Sequence, residues 1–176
     1  LKLYPASTDD EARTQARFAD RDSTMVASMN AWALAQVKTG HAPVYSYEFS
    51  RPHSYAPGVT FPDLNPATAG SYHTSEVPFW FGSLESFNRF RHTRDWTPAD
   101  REFSSAMTDS LVAFARTGNP STAKLKWPKF DPANQNLLEL GQTGHVSPWP
   151  EKAKLDFFRA ASPPAPAPAA SRAPRD

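Results

Sequence analysis

His73 and Glu76 lie three residues apart in a segment whose residue types could support acid–base chemistry. The segment reads Gly-Ser-Tyr-His-Thr-Ser-Glu-Val-Pro-Phe-Trp-Phe-Gly and runs from Gly70 to Gly82. A histidine in such a loop could act as a general base, and the aromatic run that follows could exclude water from its surroundings. The same spacing also fits a loop histidine that is hydrogen-bonded to the backbone, so spacing alone leaves both interpretations open.

Two serines flank this histidine and are the nearest candidates for a nucleophile. Ser71 and Ser75 lie two residues before and two residues after His73. A nucleophilic serine in a hydrolase needs a strained strand-to-helix turn that presents its hydroxyl beside oxyanion donors. A serine two residues from its base lacks that turn, so we do not expect either serine to be the nucleophile.

The remaining histidines form no pattern typical of metal ligands. They are His41, His53, His92 and His145. They show neither the His-x-x-x-His spacing nor another metal-ligand spacing with nearby acids. We interpret all four as solvated or loop histidines, and we predict neither a metal nor a cofactor.

A short basic cluster lies beside Phe87 and Phe90 and could contact phosphate. Its members are Arg89, Arg91, His92 and Arg94. The chain has 19 basic and 18 acidic residues and a net charge of +1, so it lacks the broad positive field of a nucleic-acid-binding protein. No Gly-Lys-Ser/Thr sequence is present either. We predict a solvated helix edge here and no nucleic-acid partner.

The composition favours a core that is shared with sequence outside this chain. At 176 residues the chain has the length of one domain, but only 39% of its residues are hydrophobic and 18 are prolines. It has no cysteine, which excludes a disulfide framework and a cysteine nucleophile. No apolar run is long enough to span a bilayer, and Leu1 opens the chain without an initiator methionine or a signal-peptide pattern. We expect a fragment or a product of a longer precursor.

Two helices are predicted in the N-terminal part of the chain. Capping oxygens and acids over Ser7–Glu11 predict a short exposed helix that runs to about Phe18. Ser23 precedes a second helix, which Gly40 ends. An apolar stripe marks the face of this second helix that we expect to pack against a sheet or another helix. The stripe consists of Met25, Met29, Trp32 and Gln36, with Val26, Ala33 and Val37 beside it.

A strand and a long loop lead to the His73 segment. Strict alternation over Val44–Phe49 predicts a strand with Tyr45, Tyr47 and Phe49 on one face. Four prolines then make 51–66 irregular. Long loops inside compact folds are usually functional.

Further elements are predicted after the His73 segment. A helix begins after Thr97, which is followed by a proline and an acid in capping positions, and it ends at Gly118. Its apolar face is marked by Phe103, Met107, Leu111 and Phe114. A short strand is predicted over Asn136–Leu140 and a last helix over Glu151–Arg159. We predict that residues 1–160 belong to one domain and that the alanine- and proline-rich residues 161–176 form a disordered tail.

The His73 segment resembles the histidine signature of the type-B carboxylesterase and cholinesterase family, whose members include esterases of the para-nitrobenzyl type. The shared positions are Gly70, His73, Glu76, Pro78, Phe81 and Gly82. Other landmarks follow in the family's order: Leu3-Tyr4-Pro5-Ala6, the strand over 44–49, the segment 114–120 and the segment 127–131. The resemblance extends from Leu1 to about Phe158.

This resemblance implies the C-terminal part of an α/β-hydrolase fold, with a central, mostly parallel sheet flanked by helices, that is incomplete in this chain. His73 would take the role of the catalytic histidine: it would deprotonate a serine, return the proton to the leaving alcohol and then activate water. Glu76 matches a downstream glutamate that we interpret as a buried partner holding the histidine loop. The expected substrate is a small-molecule carboxylic ester.

The rest of the catalytic triad is expected outside this chain. No pair among its seven glycines forms Gly-x-Ser-x-Gly, and the segment that usually supplies the triad acid is missing too. We therefore expect the N-terminal part of the same domain as a partner, and an inactive isolated chain. Two alternatives stay open, namely a non-catalytic esterase-like binding protein and a stand-alone small domain. Location is not determined, and only exported relatives suggest secretion or the periplasm.

Overall fold

The computed structural model describes residues 2–149 and 152–161. These residues divide into two compact units, one formed by 2–31 with 152–161 and the other by 32–149. The segment that contains His73 lies in the larger unit. No helix among the described residues is both long enough and apolar enough to cross a membrane.

The smaller unit begins with helix α1, Asp9–Arg21. Thr8 caps this helix, because its hydroxyl accepts the Glu11 N–H at 3.2 Å. The Glu11 carboxylate in turn accepts the Thr8 N–H at 3.2 Å, so two otherwise unpaired donors are satisfied. The predicted exposed helix is confirmed and continues past Phe18.

The chain stays helical through a π-helical turn at Asp22–Val26 and into helix α2, Ala27–Thr39. The predicted helix start at Ser23 is therefore wrong. Ser23 lies inside the π-helical turn, where its hydroxyl donates to the Asp20 carbonyl at 3.0 Å. A π-helical turn holds more residues than an α-helical turn, which rotates the side chains that follow it.

The predicted apolar stripe lies on the exposed side of this continuous helix. Met25, Met29 and Trp32 are 48%, 41% and 60% exposed, whereas Asn30 and Ala33 are buried. No partner covers these three side chains among the described residues, so the packing of the stripe against a sheet or another helix stays a prediction. The three exposed side chains share one side of the helix, as the i, i+4, i+7 spacing predicts.

Helix α5, Lys152–Ala161, belongs to the smaller unit. The prediction of a last amphipathic helix is confirmed, and Leu155 on its apolar face is buried. Its predicted first residue, Glu151, lies outside the described residues. So does the predicted tail over 161–176, except for Ala161, which is the last residue of α5.

The larger unit contains a three-stranded sheet in the order β1-β2-β3. The strands are β1, Tyr47–Phe49; β2, Asn136–Leu140; and β3, Gly144–Pro148. β1 pairs in parallel with β2, and β2 pairs antiparallel with β3. The prediction of β2 is confirmed. The strand β3 was not predicted, because its terminal glycine and proline have low β-propensity.

β1 is shorter than the predicted strand over Val44–Phe49. Backbone carbonyls before Tyr47 are still hydrogen-bonded. The Val44 carbonyl accepts the Phe130 N–H at 2.8 Å, and the Ser46 carbonyl accepts the Leu138 N–H at 2.9 Å. β1 is also at an edge of the sheet, with β2 on one side. In the register that pairs Tyr47 with Leu138, the first residue of β2, Asn136, is level with Tyr45, so β2 offers no partner to Val44.

Helix α4, Pro98–Thr117, is the longest helix of the described residues and matches its prediction. The Thr97 hydroxyl accepts the Asp100 N–H at 3.1 Å, and the Asp100 carboxylate accepts the Thr97 N–H at 2.9 Å. Gly118 ends the helix in the left-handed region, at φ 72°, where a side chain would be strained. The buried part of its apolar face carries Phe103 and Met107.

Two short elements connect β1 to α4. Helix α3 is a single turn at Val77–Trp80, and a 3₁₀ helix spans Leu84–Asn88. Phe79 on α3 is fully buried and packs in one hydrophobic cluster with Met107 and Leu138. Together α3, α4 and β2 therefore form the core that supports the His73 segment.

Candidate active site

His73 occupies the second position of a tight turn formed by residues 72–75. The Ser75 N–H closes the turn by donating to the Tyr72 carbonyl at 3.0 Å. Thr74 has φ 71°, a left-handed conformation that β-branched residues rarely adopt. The His73 side chain is exposed and makes no hydrogen bond to any residue that the structure describes. Its imidazole is thus accessible to a reacting group.

Two serine hydroxyls tie this turn to the sheet. The Ser71 hydroxyl donates to the carbonyl of Phe49, the last residue of β1, at 2.8 Å. The Ser75 Oγ lies 3.1 Å from the Ser71 Oγ, and Ser75 is fully buried. The turn therefore lies at the carboxyl end of β1, the edge of a parallel sheet at which ligands bind in α/β folds.

His53 contacts the same turn from the protein interior. Its Nε2 lies 2.8 Å from the Ser75 carbonyl oxygen. Its Nδ1 lies 3.1 Å from the Arg94 Nε and 3.3 Å from the Tyr72 hydroxyl. His53 lies in a loop, as predicted, but it is only 5% exposed, so the alternative of a solvated histidine is wrong.

The partners of His53 determine which ring nitrogen carries the proton. Arg94 Nε can only donate and the Ser75 carbonyl can only accept, so Nδ1 is the acceptor and Nε2 bears the hydrogen. Burial lowers the pKa of His53 below its ordinary value of 6.5, although the bond to Ser75 opposes this shift. Arg94 lowers the pKa further and Asp100 raises it. His53 is therefore neutral at neutral pH.

Arg94 is buried, at 3% exposure, which contradicts the predicted solvated cluster at this position. The other members of the basic cluster are exposed, namely Arg89, Arg91 and His92. The Arg94 guanidinium stacks over the rings of Tyr55 and Phe87, at 4.1 and 5.0 Å from their centroids. Within residues 2–149 and 152–161, no carboxylate forms an ion pair with it. A buried cation that has only neutral partners opposes a second positive charge at His53.

A buried ion pair joins the loop after β1 to helix α4. The Arg51 Nη2 and Nε lie 2.7 and 2.9 Å from the Asp100 Oδ1. The Arg51 Nη1 donates to the carbonyls of Gly141 and Gln142, each at 3.2 Å. Arg51 thereby connects β1, α4 and the turn between β2 and β3. This connection fixes the start of the loop that leads to His73.

Asp100 stays ionised in this setting although it is only 1% exposed. Burial alone would raise its pKa. Hydrogen bonds from Ser54, Thr97 and Arg51 outweigh burial, so the pKa of Asp100 lies below its ordinary value of 3.8. Its carboxylate is therefore fully occupied by these donors.

Glu76 is half-buried, not buried as the sequence suggested. Its carbonyl accepts the N–H groups of Phe79 and Trp80 at 3.0 and 3.1 Å and so begins α3. Its carboxylate makes no hydrogen bond or ion pair to any described residue. Burial raises the pKa of the Tyr47 hydroxyl, and the Glu76 charge raises it further. The role of Glu76 in holding the loop stays a prediction.

The aromatic run after Glu76 is split between the core and the surface. Phe79 is fully buried, and Trp80 packs against Tyr47 and Trp127 with ring centroids 5.4 and 6.3 Å apart. Phe81 is 69% exposed. None of these rings contacts the His73 side chain in the described structure, so the run does not by itself form a wall around the histidine.

An open, aromatic concavity of about 320 Å³ lies between β1 and the C-terminal half of α4. Its lining residues are Tyr45, Tyr47, Trp80, Phe81, Ser110, Leu111, Phe114, Pro120 and Trp127. The Ser110 Oγ and the Trp127 Nε1 are buried and have no hydrogen-bond partner among the described residues. Buried polar groups without partners are rare in complete proteins.

The sequence did not reveal the interior residues that support the His73 turn. These are Arg51, His53 and Arg94, and Asp100 was predicted only as a helix-capping residue. Arg51 and Asp100 are 49 residues apart, and His53 and Arg94 are 41 apart. No local period links positions so far apart. The only available signal was the presence of charged residues inside an apolar-poor loop.

Comparison with known proteins shows one family. A model of the carboxylesterase family matches residues 1–158. Acylcarnitine hydrolase of Rattus norvegicus is 33% identical over 138 residues, which cover 78% of this chain and 23% of that protein. Para-nitrobenzyl esterase of Bacillus subtilis is 27% identical over 122 residues, 69% of this chain and 23% of that protein. The chain thus spans under a quarter of the length of these relatives.

Solved structures show the same relationship. A PNB esterase superposes with a TM-score of 0.66 and 25% identity over 89% of this chain and 29% of that one. A thermophilic PNB esterase superposes with a TM-score of 0.63 and 24% identity over the same shares. These proteins have the α/β-hydrolase fold, and the sheet and helices described above are a part of it. The predicted fold class is confirmed.

Proposed function

Because this chain belongs to the carboxylesterase family, we propose that it is the histidine-bearing, C-terminal part of a carboxylic ester hydrolase. The observation that carries this proposal is the placement of His73. Its imidazole is exposed on a strained turn that Ser71 ties to the carboxyl end of β1. That is where an α/β sheet presents catalytic side chains to a substrate.

In the proposed reaction, a serine hydroxyl from outside this chain attacks the ester carbonyl carbon while His73 accepts its proton. The tetrahedral intermediate collapses, the bond to the alcohol oxygen breaks, and His73 returns the proton to that oxygen. Water then attacks the acyl-serine as His73 accepts a proton from it. Collapse of the second intermediate releases the carboxylic acid and restores the serine.

In this proposal the triad acid also comes from outside this chain. Asp100 is committed to Arg51, Ser54 and Thr97, and the described structure shows no carboxylate bonded to His73. A histidine base needs an acid at its second nitrogen to fix its tautomer and to stabilise its charged form. The exposed His73 ring leaves room for such an acid and for the serine.

The aromatic concavity supports the N-terminal part of the same domain as the missing partner. β1 lies at an edge of the sheet, and the concavity beside it carries the unpartnered Ser110 hydroxyl and Trp127 indole N–H. A further parallel strand beside β1, with the segments that flank it, would cover these apolar and polar groups together. The isolated chain would then be inactive because it lacks both the serine and part of its own core.

The test uses the full-length protein that contains these residues. We expect His73→Ala to lower kcat/KM for a short-chain p-nitrophenyl ester at least about a thousandfold, since the base of an acyl-transfer triad is removed. The matched control is His41→Ala, because His41 is an exposed loop histidine far along the chain from the turn. Full activity of His73→Ala would contradict the proposal.

The acyl-enzyme is tested separately. A burst of p-nitrophenol equal to the enzyme concentration, followed by a slower steady state, is the expected kinetic signature. A fluorophosphonate probe should label a serine upstream of Leu1 and neither Ser71 nor Ser75. If no serine in the full-length protein reacts, the non-catalytic binding protein becomes the better interpretation.

A further inference from the structure

The turn that carries His73 is held from the interior by one side chain. His53 reaches the Ser75 carbonyl at 2.8 Å, and the Tyr72 hydroxyl reaches His53 at 3.3 Å. Tyr72 and Ser75 are the first and last residues of the four-residue turn, so a single imidazole contacts both of its ends. The contact with Ser75 is buried, which makes it costly to exchange for water, and the contact with Tyr72 is partly buried.

The turn would not keep this conformation without such contacts. Thr74 has φ 71°, a conformation that is strained for a β-branched residue. The Ser75 hydroxyl lies 3.1 Å from that of Ser71, and His53 is the side chain that contacts the Ser75 backbone carbonyl within the part of the chain that the structure describes. Loss of this bond would free the carbonyl of the 75–76 peptide at the end of the turn and would let the backbone that carries His73 shift.

The ring of His53 cannot shift easily to break this bond. It lies 5.1 Å from the ring centroids of both Phe87 and Trp96 and 6.0 Å from that of Phe79. Arg94 holds its opposite nitrogen, and Arg94 is itself fixed by the ring of Tyr55. The imidazole is therefore oriented by packing on its faces and by hydrogen bonds at both nitrogens.

We infer that His53 is a positioning residue for His73: its Nε2–H holds the Ser75 carbonyl and thereby fixes the turn that presents the catalytic imidazole. This inference rests on the proposed function. His53 does not touch the substrate or the reacting atoms in this scheme. It acts through the backbone of the turn, and a misplacement of about 1 Å at a catalytic base can lower the rate by about a hundredfold.

The experiment compares two substitutions in the full-length protein. His53→Leu removes both hydrogen bonds, whereas His53→Gln keeps one neutral donor and one neutral acceptor. We expect His53→Leu to lower kcat about a hundredfold with KM unchanged, at a temperature well below its melting point. We expect His53→Gln to restore kcat to within about tenfold of the wild type. His41→Leu is the control for loss of an imidazole.

A second measurement reports the tautomer of His53 in the wild-type protein directly. Nitrogen-15 NMR of histidine-labelled protein, with the His53 signal identified by its absence from His53→Gln, reports which ring nitrogen bears the proton. We expect hydrogen on Nε2 and none on Nδ1. The opposite tautomer would overturn the inference, because no donor would then face the Ser75 carbonyl.

The outcomes separate this inference from the proposed function. An active His73→Ala variant overturns both. An inactive His73→Ala variant, with a folded His53→Leu variant of wild-type kcat, overturns the positioning role alone. A folded His53→Gln variant that is as slow as His53→Leu overturns it too, because the amide keeps the donor and acceptor on which the role depends.

Discussion

The two halves of helix α4 face very different surroundings. Its N-terminal half meets a polar interior in which the charged and hydrogen-bonding groups have partners; this interior consists of Arg51, His53, Arg94 and Asp100. Its C-terminal half meets the aromatic concavity, where Leu111 and Phe114 are 36% and 47% exposed and the Ser110 hydroxyl has no described partner. The four polar residues have partners within the described chain, although the Tyr55 hydroxyl beside Arg94 is buried without one. Under the proposed function, the concavity is covered by the rest of the domain.

The largest effect on stability is expected from a substitution that disrupts the polar interior. Asp100→Ala in the full-length protein should lower the free energy of unfolding by about 3–5 kcal/mol, because it leaves the Arg51 charge buried without its partner. Asp109→Ala is the matched control, since Asp109 is an exposed aspartate of the same helix, and it should change stability by less than about 0.5 kcal/mol. Denaturant unfolding measures both. Equal effects would show that the ion pair is not buried in the complete protein.

A smaller effect tests whether the concavity is covered. Phe81→Ala should cost about 2 kcal/mol in the full-length protein if its ring, 69% exposed here, is buried by the rest of the domain. Phe90 is 94% exposed and does not line the concavity, so Phe90→Ala should change stability by less than about 0.5 kcal/mol. Thermal denaturation compares the two variants. A neutral Phe81→Ala variant would mean that the concavity stays open.

Two serines of α4, one in each half of the helix, allow a direct comparison of the two surroundings. The Ser104 hydroxyl donates to the Phe79 carbonyl at 2.9 Å, whereas the Ser110 hydroxyl has no described partner. Ser104→Ala should cost about 1 kcal/mol in the full-length protein, and Ser110→Ala should cost about as much once the covering segment supplies a partner. Urea unfolding measures the free energy of unfolding of both variants. If Ser110→Ala stabilises the protein, its hydroxyl is unpaired there as well.

The smallest effect is a pH dependence of the polar interior. The folded pKa of His53 lies below 6.5, so below that pH the unfolded chain binds its proton first. The stability contributed by neutral His53 is therefore complete above pH 6.5 and is lost as the pH falls toward the folded pKa. The charged and titratable groups that face it are Arg94, Asp100, Tyr55 and Tyr72.

The measurement for this effect is the melting temperature of the full-length protein between pH 8 and pH 5. The glutamine side chain of the His53→Gln variant cannot be protonated. The melting temperature of this variant should therefore fall less steeply over this range than that of the wild type. Asp100 does not confuse the comparison, because its folded pKa lies below 3.8 and its contribution is lost only in stronger acid. Parallel curves for the two proteins would contradict the lowered pKa of His53.

The parts of the fold that the sequence predicted correctly are those with local causes. Helix α4 follows from a capping box at Thr97, a proline after it and Gly118 at its end, and β2 follows from its apolar residues. The family and the α/β-hydrolase fold followed from the His73 segment. In each case the signal lies within about 20 residues of sequence, the range over which capping and periodicity act.

The incorrect predictions have non-local or irregular causes. The π-helical turn at Asp22–Val26 joins the two predicted N-terminal helices, so the predicted helix start at Ser23 is wrong. Arg94 was taken for part of a solvated cluster, although its burial depends on aromatic rings such as Tyr55. His53 could not be placed because its partners come from separate loops. Such contacts are determined by the folded chain as a whole.

The contact between Arg51 and the carbonyl of Gly141 has a consequence for synthesis of the chain. The two residues are 90 positions apart, and β2, the neighbour of β1 in the sheet, follows β1 at a similar distance along the chain. At about 5–20 residues per second, a ribosome needs roughly 5 to 20 seconds to make the intervening segment. Until Asp100, 49 residues after Arg51, has been made, the loop behind the His73 turn lacks the carboxylate that pairs with its arginine. Translation speed between these two points thus sets how long a chaperone has to bind the nascent loop.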